Sequence, residues 1–479
     1  MSSLTKRAVI LIACRVMNYG VLILSPIFLV RIFDMQSFGQ YREFMLYSLL
    51  FSTLTLFSIP SNLLYFIPKY RNKESQSITN TALLAFIASI LGAGIIYAFR
   101  GFLLQNTSYD FILPLIAYVL LAINLDIFEP FWLGRKRTDY VLYFSATRIL
   151  VRTSAVILTA YATRNVTFVI YSLLASEALR LIIVFFLFRR HFILPLDKNL
   201  MKEQLRFSAP LGLAYSLSTL NAQLANLTIS TKMGAERLAL YSVGSHQIPI
   251  INIVRSSVMD VLFPEMAQAS NDAERLHLWQ RANVAVCFLV FPIYVLFVFF
   301  AGTIIELLFT NQYLSATTLF RIYGSLMLIQ SFEMGTPLRA INKNRYFILG
   351  SILMLFTNLG IILLLFSSIG FITPGIANIL SETIALIYLA AVILRLYGVN
   401  FSALLMWRKI GVMALSCILA APCLGIKWLL SAGALIELLL ISIMYLATYL
   451  FIVRMFRVDE VQFLWNKISR RFAKAKMLI

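Results

Sequence analysis

Runs of about 20 predominantly apolar residues recur along the whole chain and are separated by short polar segments. An α-helix needs about 20 residues to cross a bilayer core of roughly 30 Å, so each run is long enough for one transmembrane span. The pattern predicts an all-α polytopic membrane protein of about fourteen spans, with twelve or thirteen as alternatives because two runs are rich in polar residues. The runs begin near Ala8, Tyr41, Ile78, Phe111, Tyr140, Thr167, Phe207, Leu240, Ala282, Thr317, Tyr346, Thr373, Lys409 and Gly433.

Lysine and arginine residues are distributed unevenly between the two sides that these runs define. With a cytoplasmic N-terminus, about 27 of the 41 Lys and Arg residues fall on the cytoplasmic side and about 7, including Arg42, on the opposite side. Short loops rich in Lys and Arg remain in the cytoplasm. The pattern therefore predicts a multi-pass protein with both termini in the cytoplasm.

Polar segments near the ends of the runs indicate an internal duplication. Segment 61–68 (SNLLYFIP) closes the second run and segment 257–264 (SVMDVLFP) closes the eighth. This offset of about six runs, with unchanged orientation, is typical of transporters built from parallel repeats. We predict an N-terminal six-helix lobe over residues 1–200, a C-terminal six-helix lobe over 201–400, and two further helices with a basic cytoplasmic tail over 401–479.

The composition narrows the choice of function. Hydrophobic residues make up 60% of the chain and charged residues 13%, whereas soluble domains contain about 25% charged residues. The net charge of +20 does not indicate a nucleic-acid partner, because the basic residues punctuate apolar runs instead of forming one basic face. The four cysteines form no CxxC pair, and only three histidines are present, so neither disulfides nor a metal site is predicted.

Several arginines lie inside the apolar runs, where a guanidinium costs several kcal/mol unless it faces a polar cavity or a partner. Arg180 is three residues from Glu177, so we expect these two to form a structural pair. Arg321 and Arg339 lie near the ends of the tenth run and are expected to extend to the membrane interfaces.

The remaining intramembrane arginines are the candidates for binding a substrate. Arginine is always protonated and presents a rigid fork of donors that suits phosphate oxygens. Asn18 and Asn252 each lie three residues from an arginine and share its helix face. We predict an intramembrane anion site built from Arg15, Asn18, Arg148, Arg152, Asn252 and Arg255.

Intramembrane carboxylates have two open interpretations. They are either counter-ions for these arginines or sites that couple transport to Na+ or H+, and the sequence does not separate the two. The candidates are Asp126, Glu129, Glu333 and Glu382. No cluster of histidine and acidic residues suits general acid–base work, so we predict a transporter with no catalytic residues and no cofactor beyond a coupling ion.

Several motifs resemble those of a known family. The segments 38–41 (FGQY), 206–211 (RFSAPL), 241–249 (YSVGSHQIP), 263–266 (FPEM), 306–313 (ELLFTNQY) and 342–346 (NKNRY) are similar to bacterial polysaccharide flippases of the Wzx type. These flippases belong to the MOP superfamily, which also contains lipid II flippases and multidrug MATE exporters. The resemblance extends over nearly the whole chain.

The resemblance implies both a fold and a function. The implied fold is a V-shaped pair of six-helix lobes, with the first, second, seventh and eighth helices lining a cationic cavity; Arg15 and Arg255 fall on helices that carry cavity arginines in lipid II flippases. The implied activity is flipping of undecaprenyl-diphosphate-linked oligosaccharides across the bacterial cytoplasmic (inner) membrane by alternating access. The expected partners are this polyprenyl-diphosphate-linked oligosaccharide, membrane lipids and the polysaccharide polymerase machinery.

Two other functions remain as alternatives. An ion-coupled MATE-like exporter of small molecules shares the architecture, but organic cations call for an anionic or aromatic cavity instead of an arginine-rich one. A membrane polysaccharide polymerase or ligase also meets prenyl-linked sugars, but resembles chains with a large periplasmic loop. The loops predicted on that side of this chain are all short.

Overall fold

The computed structural model describes residues 24–103, 111–193, 196–246, 268–341, 343–429 and 433–456, together with five residues between 247 and 267. Within these ranges every regular element is an α-helix or a short 3-10 helix, and no described residue forms a strand. The predicted all-α class is confirmed.

The chain divides into two compact units, residues 1–242 and 243–479. The division into residues 1–200, 201–400 and 401–479 that the sequence suggested stays a prediction. The longest helical segment, Lys198–Gly244, lies mostly beyond residue 200 but belongs to the first unit. Residues 24–32 are helical, and the longer helices that follow are α1 (Met35–Leu56), α2 (Leu63–Lys69), α3 (Glu74–Ala98), α4 (Ile112–Ile123), α5 (Phe128–Gly134), α6 (Thr138–Thr163), α7 (Val166–Phe188) and α8 (Lys198–Gly244).

The second run of the sequence forms a bent helix pair. Helix α1 begins at an N-cap, where the Asp34 carboxylate accepts a hydrogen bond from the Ser37 N–H at 3.1 Å. It ends at Phe57 and Ser58, whose φ angles of 49° and 54° are left-handed, and the helical axis bends by 48° before α2. The second run is therefore kinked, and its helix begins more than one turn before Tyr41.

Helix α8 contains 47 residues and packs antiparallel to α1. Gly234 has non-helical φ and ψ angles of 79° and −177°, so α8 consists of two helices that meet at this residue, and the first, over residues 198–233, is about 54 Å long at 1.5 Å per residue. A Cβ atom on Gly39 would lie 2.0 Å from the Ala235 carbonyl oxygen, and one on Gly212 would lie 2.4 Å from that of Phe57. Glycine thus allows the two backbones into direct contact near both ends of α1, as in other tightly packed membrane helices. Gly234, with φ 79°, kinks α8 beside the first contact.

Ion pairs tie the start of α8 to the neighbouring helix ends. Lys69 contacts Glu203 at 2.9 Å and Lys73 contacts Asp197 at 2.7 Å. The hydrogen bond from Lys73, together with that from the Leu200 N–H, holds the pKa of Asp197 below its usual range. These contacts place α8 within the first unit.

The second unit contains the helices that follow residue 267. Helices α13 and α14 are joined at Gly370 and fold back on each other, since the Asn358 side-chain amide donates a hydrogen bond to the side-chain oxygen of Asn378 at 3.0 Å. The helices of this unit are α9 (Asp272–Phe299), α10 (Ala301–Phe309), α11 (Thr317–Gln330), α12 (Gly335–Ala340), α13 (Asn344–Ile369), α14 (Thr373–Tyr397), α15 (Trp407–Ala420) and α16 (Ala434–Met455).

The last two helices are integrated into the core of the second unit. Tyr445 and Tyr449 of α16 are fully buried and donate hydrogen bonds to the carbonyl oxygens of Cys417 and Phe288, at 3.3 and 2.9 Å. These bonds satisfy the only polar atoms of two large side chains in an apolar environment. Helices α15 and α16 therefore pack on α9 as part of one core.

The described residues contain eight stretches that are long and apolar enough to span a membrane, and a ninth if the bent pair α1–α2 is one span. One of the eight, Arg345–Tyr397, contains both α13 and α14, so it provides two crossings. The protein is thus a multi-pass helical membrane protein. The spans predicted near Ala8 and Leu240 lie largely outside the described residues, and the count of fourteen stays approximate.

Candidate anion site

The first unit contains a cavity of about 570 Å³ between α1, the α4–α5 junction, α6 and α8. Three arginines contribute to its wall, whereas Asp126 is the one carboxylate among its described lining residues. The polar lining residues are Ser25, Tyr41, Arg42, Ser48, Ser52, Tyr118, Asp126, Arg148, Arg152, Thr153, Gln223 and Asn226.

Two of the predicted arginines lie one turn apart on α6 and face this cavity. The Arg152 guanidinium donates to the Tyr118 hydroxyl at 3.3 Å and lies 3.6 Å from the Glu177 carboxylate. Arg148 lies 3.6 Å from Asp126 and 3.7 Å from Glu177. Four residues separate Arg148 from Arg152, so both lie on one face of α6 and both guanidinium groups reach the cavity.

Glu177 and Arg180 form the structural pair that the sequence predicted. Arg180 is 5% exposed and donates to Glu177 at 2.7 Å. Its other donors reach the chain where α4 ends, at the carbonyl oxygens of Leu121, Ala122, Asn124 and Leu125. Carbonyls at a helix C-terminus lack partners within the helix and carry partial negative charge, so Arg180 caps the break between α4 and α5.

Positive charge exceeds negative charge around the cavity. Arg148, Arg152 and Arg180 share Glu177 and Asp126, and the Glu129 carboxylate also interacts with the charge of Arg148, so three carboxylates balance these three arginines. Arg42, which forms no salt bridge with the described residues, adds one unbalanced positive charge. Because the surrounding helices are apolar, this excess favours an anion in the cavity.

Arg42 is the cavity residue that the sequence analysis missed. It was assigned to the extracytoplasmic loops, whereas the structure places it inside α1 on the cavity wall. The polar segment before Tyr41 was taken as a loop, whereas α1 begins at Met35; the side of the membrane on which Arg42 lies stays a prediction. Asp34, a strong N-cap residue, is the sequence signal that could have moved the helix start to Met35.

The predicted intramembrane acids have distinct surroundings. Asp126 is a counter-ion of Arg148, and Glu129 accepts a hydrogen bond from Ser145 at 2.8 Å. Glu333 accepts hydrogen bonds from two backbone N–H groups at the start of α12 and pairs with Arg339 at 3.3 Å. Glu382 accepts a hydrogen bond from Gln330 at 3.0 Å. A role in ion coupling stays a prediction for all four.

The remaining predicted site residues belong to other parts of the chain. Arg255, in the second unit, donates to the Gln330 carbonyl oxygen at 3.5 Å. Arg15, Asn18 and Asn252 lie outside the described residues. The structure therefore groups Arg148 and Arg152 with Arg42 at one cavity, and substrate binding stays a prediction for all six residues.

Comparisons with known proteins give a family and a fold. A family model described as polysaccharide biosynthesis protein matches residues 28–318. A comparison with curated protein sequences finds no match.

Solved membrane transporters share the fold. The lipid II flippase MurJ, in an inward closed conformation, has a TM-score of 0.73 at 12% identity, over 93% of this chain and 98% of that chain. An inward-facing multidrug resistance MATE family transporter of the MOP superfamily has a TM-score of 0.56 at 14% identity, over 80% and 95%. A MOP superfamily transporter from Pyrococcus furiosus with a binding pocket of reversed polarity has a TM-score of 0.51 at 12% identity, over 83% and 96%.

Proposed function

This chain belongs to the polysaccharide biosynthesis protein family, and we propose that it is a flippase for lipid-linked oligosaccharides. The observation that carries the proposal is the arginine-rich cavity inside an apolar helical unit. The proposed substrate is an undecaprenyl-diphosphate-linked sugar unit, whose diphosphate is an anion and whose polyprenyl chain is soluble in the bilayer.

The contacts of the cavity arginines support binding of a diphosphate. Charge-assisted N–H···O bonds are about 2.7–2.9 Å long, whereas the distances from Arg148 and Arg152 to Glu177 are 3.7 and 3.6 Å. The guanidinium groups of Arg148 and Arg152 therefore retain N–H donors that can form hydrogen bonds with phosphate oxygens. Arg42 contributes another guanidinium group to the cavity lining, from α1.

The other lining residues suit a sugar. Ser48, Ser52, Gln223 and Asn226 supply hydroxyl and amide groups, which can both donate and accept hydrogen bonds with sugar hydroxyls. The volume of about 570 Å³ falls in the usual range of roughly 300–1,000 Å³ for small-molecule sites. The cavity thus matches a diphosphate with one or two attached sugars better than a whole polysaccharide.

We propose that the flippase works by alternating access. The headgroup enters the cavity from the cytoplasmic side, the arginines replace water around the phosphates, and a conformational change opens the cavity to the other side. The polyprenyl chain remains in lipid throughout, so the membrane lipids are the second partner and the polysaccharide polymerase machinery receives the product. Direction would come from an inward gradient of Na+ or H+.

Export of organic cations is the competing function, since the MATE transporters share this fold. Cations are bound by carboxylates or aromatic faces, and a cavity with excess positive charge repels them. The cavity of this chain therefore favours the flippase.

Replacement of the cavity arginines tests the proposal. Arg42→Gln and Arg152→Gln should each slow flipping of a fluorescent undecaprenyl-diphosphate sugar in proteoliposomes roughly ten- to hundredfold, because a hydrogen bond to a charged group is worth about 1.5–3 kcal/mol. The control is Arg137→Gln, which removes an exposed arginine paired with Asp139 at 3.1 Å and should leave the rate unchanged.

Two results would refute the proposal. One is wild-type flipping by folded Arg42→Gln and Arg152→Gln proteins. The other is a wild-type protein that moves a fluorescent organic cation but not the prenyl-diphosphate sugar, which would identify an exporter.

A further inference from the structure

A buried carboxylate, Glu43, lies between α1 and α8 and is not among the acids that the sequence singled out. Its side chain is 2% exposed, and it follows Arg42 in the chain but does not line the cavity. The Ser230 hydroxyl of α8 donates a hydrogen bond to the Glu43 carboxyl group, and the Tyr47 hydroxyl lies 3.4 Å from the same Ser230 oxygen. Glu43 is therefore hydrogen-bonded by Ser230 of α8, and this serine is itself in contact with the Tyr47 hydroxyl of α1.

No described cation forms a salt bridge with Glu43. Tyr47 is the titratable group that faces it from α1, and the charged residues of α8 nearest to Ser230, which are Lys232, Glu236 and Arg237, are exposed. The charged or titratable groups on the elements packed against α1 have other partners or positions: Glu74 of α3 pairs with Arg135, Tyr118 of α4 bonds to Arg152, and Glu177 and Arg180 of α7 pair with each other.

This environment suits a carboxylic acid better than a carboxylate. Burying a charge without a counter-charge costs several kcal/mol, whereas a neutral acid costs much less and can both donate and accept hydrogen bonds. The surrounding hydroxyl groups offer both kinds of partner. A proton on Glu43 therefore stabilises the packed arrangement of α1 and α8.

The site lies beside a close backbone contact between the two helices. Gly39, one turn before Glu43, touches the backbone of Ala235, and Ser230 lies one turn before the kink at Gly234. Any separation of α1 from α8 at this point would expose the Glu43 carboxyl to water. Hydration stabilises the ionised form, so the carboxyl would then release its proton.

We propose that Glu43 is a proton-binding site whose occupancy is linked to the packing of α1 against α8. The carboxylate takes up one proton from water when the helices are apart, forms a neutral acid when they close, and returns the proton to water when they separate again. This inference rests on the proposed flippase function, because it assigns the ion-coupling step of the same unit to a residue that adjoins the cavity arginine Arg42.

The first experiment measures protonation directly and requires no transport. Infrared difference spectroscopy of the purified full-length protein should show the C=O stretch of a protonated carboxylic acid at neutral pH, where exposed carboxyl groups, with pKa values of about 4, are ionised. Glu43→Gln should remove this band. The matched control, Glu74→Gln, removes a carboxylate that already pairs with Arg135 and should leave the band unchanged.

The second experiment measures how strongly flipping is coupled to a proton gradient. An imposed pH gradient should accelerate flipping in wild-type proteoliposomes, while Glu43→Gln, which mimics the protonated acid in shape and polarity, should flip at a rate that the gradient does not change. Glu43→Asp keeps an ionisable group and should restore part of the gradient dependence, which separates coupling from folding.

The outcomes distinguish this inference from the proposed function. Loss of the band in Glu43→Gln with no flipping by the wild-type protein would support the proton site and refute the flippase. An unchanged band, or the same gradient dependence in the wild-type and Glu43→Gln proteins, would refute the proton site while leaving the flippase intact.

Discussion

A single carboxylate, Glu177, is shared by three arginines of the first unit. One of its oxygens accepts a hydrogen bond from Arg180 at 2.7 Å, and the other is shared by Arg148 and Arg152 at 3.7 and 3.6 Å. Arg180 also uses its remaining donors on the carbonyls at the end of α4. Arg180, whose donors are all used within the protein, is therefore structural. Arg148 and Arg152, which are paired at longer distances, are available to a ligand.

Arg180→Gln tests this division of roles. It should destabilise the protein by about 3–5 kcal/mol, the usual cost of breaking a buried ion pair, because it leaves the carbonyls of the helix break without donors. The measurement is the thermal unfolding of purified protein in detergent. Arg100→Gln, which removes an exposed arginine stacked on Tyr97, should leave the melting temperature nearly unchanged. Equal melting temperatures for the two variants would contradict a capping role for Arg180.

At the scale of elements, the bent pair α1–α2 and the long helix α8 form the framework of the first unit. The bend at Phe57 lies beside Gly212, and the start of α1 lies beside Ala235, so α8 follows the pair along its length. This packing brings Arg42 to the cavity on one face of α1 and Glu43 to Ser230 on another. Successive residues on a helix point about 100° apart, which is why neighbours in sequence have different surroundings.

Gly39→Ala tests the close contact of α1 with α8. The added Cβ would lie 2.0 Å from a backbone oxygen, so the helices must move apart, with an expected cost of about 1–3 kcal/mol in unfolding free energy and a lower melting temperature. Gly94→Ala is the matched control, since a Cβ there meets nothing within 4 Å. An unchanged melting temperature for Gly39→Ala would show that this contact does not constrain the two helices.

At the scale of the whole molecule, the charge pattern predicts the orientation in the membrane. The segment around Arg190 is basic and is expected in the cytoplasm, whereas the 3-10 segment Asn311–Ala316 is expected on the opposite side. Arg190→Cys and Gln312→Cys, each in a protein with its four native cysteines replaced, should react with a membrane-impermeant maleimide from opposite sides. Both positions are exposed. Labelling of both from one side would contradict the predicted topology.

The candidate site was only partly predictable from the sequence. Arg148 and Arg152 could be placed on one face because helical spacing is local information. Arg42 and Glu43 could not be placed correctly, since the mixed polar stretch 34–43 has no clear hydrophobic period and only packing against α8 shows that it is buried helix. Arg180 caps a helix break that lies far away in the sequence: it donates a hydrogen bond to the carbonyl oxygen of Leu125, which is 55 residues before it.

The sequence by itself determined that the protein lies in a membrane, that its fold is all-α, and where most of its helices lie. Long apolar runs in a chain with 13% charged residues can satisfy their backbone hydrogen-bonding groups in lipid only as helices. It also determined that some arginines must face a polar interior. Only the tertiary structure decided which arginines meet, because a buried charge is stabilised by whichever carboxylate or carbonyl packing brings within a few ångströms, and those partners come from different helices.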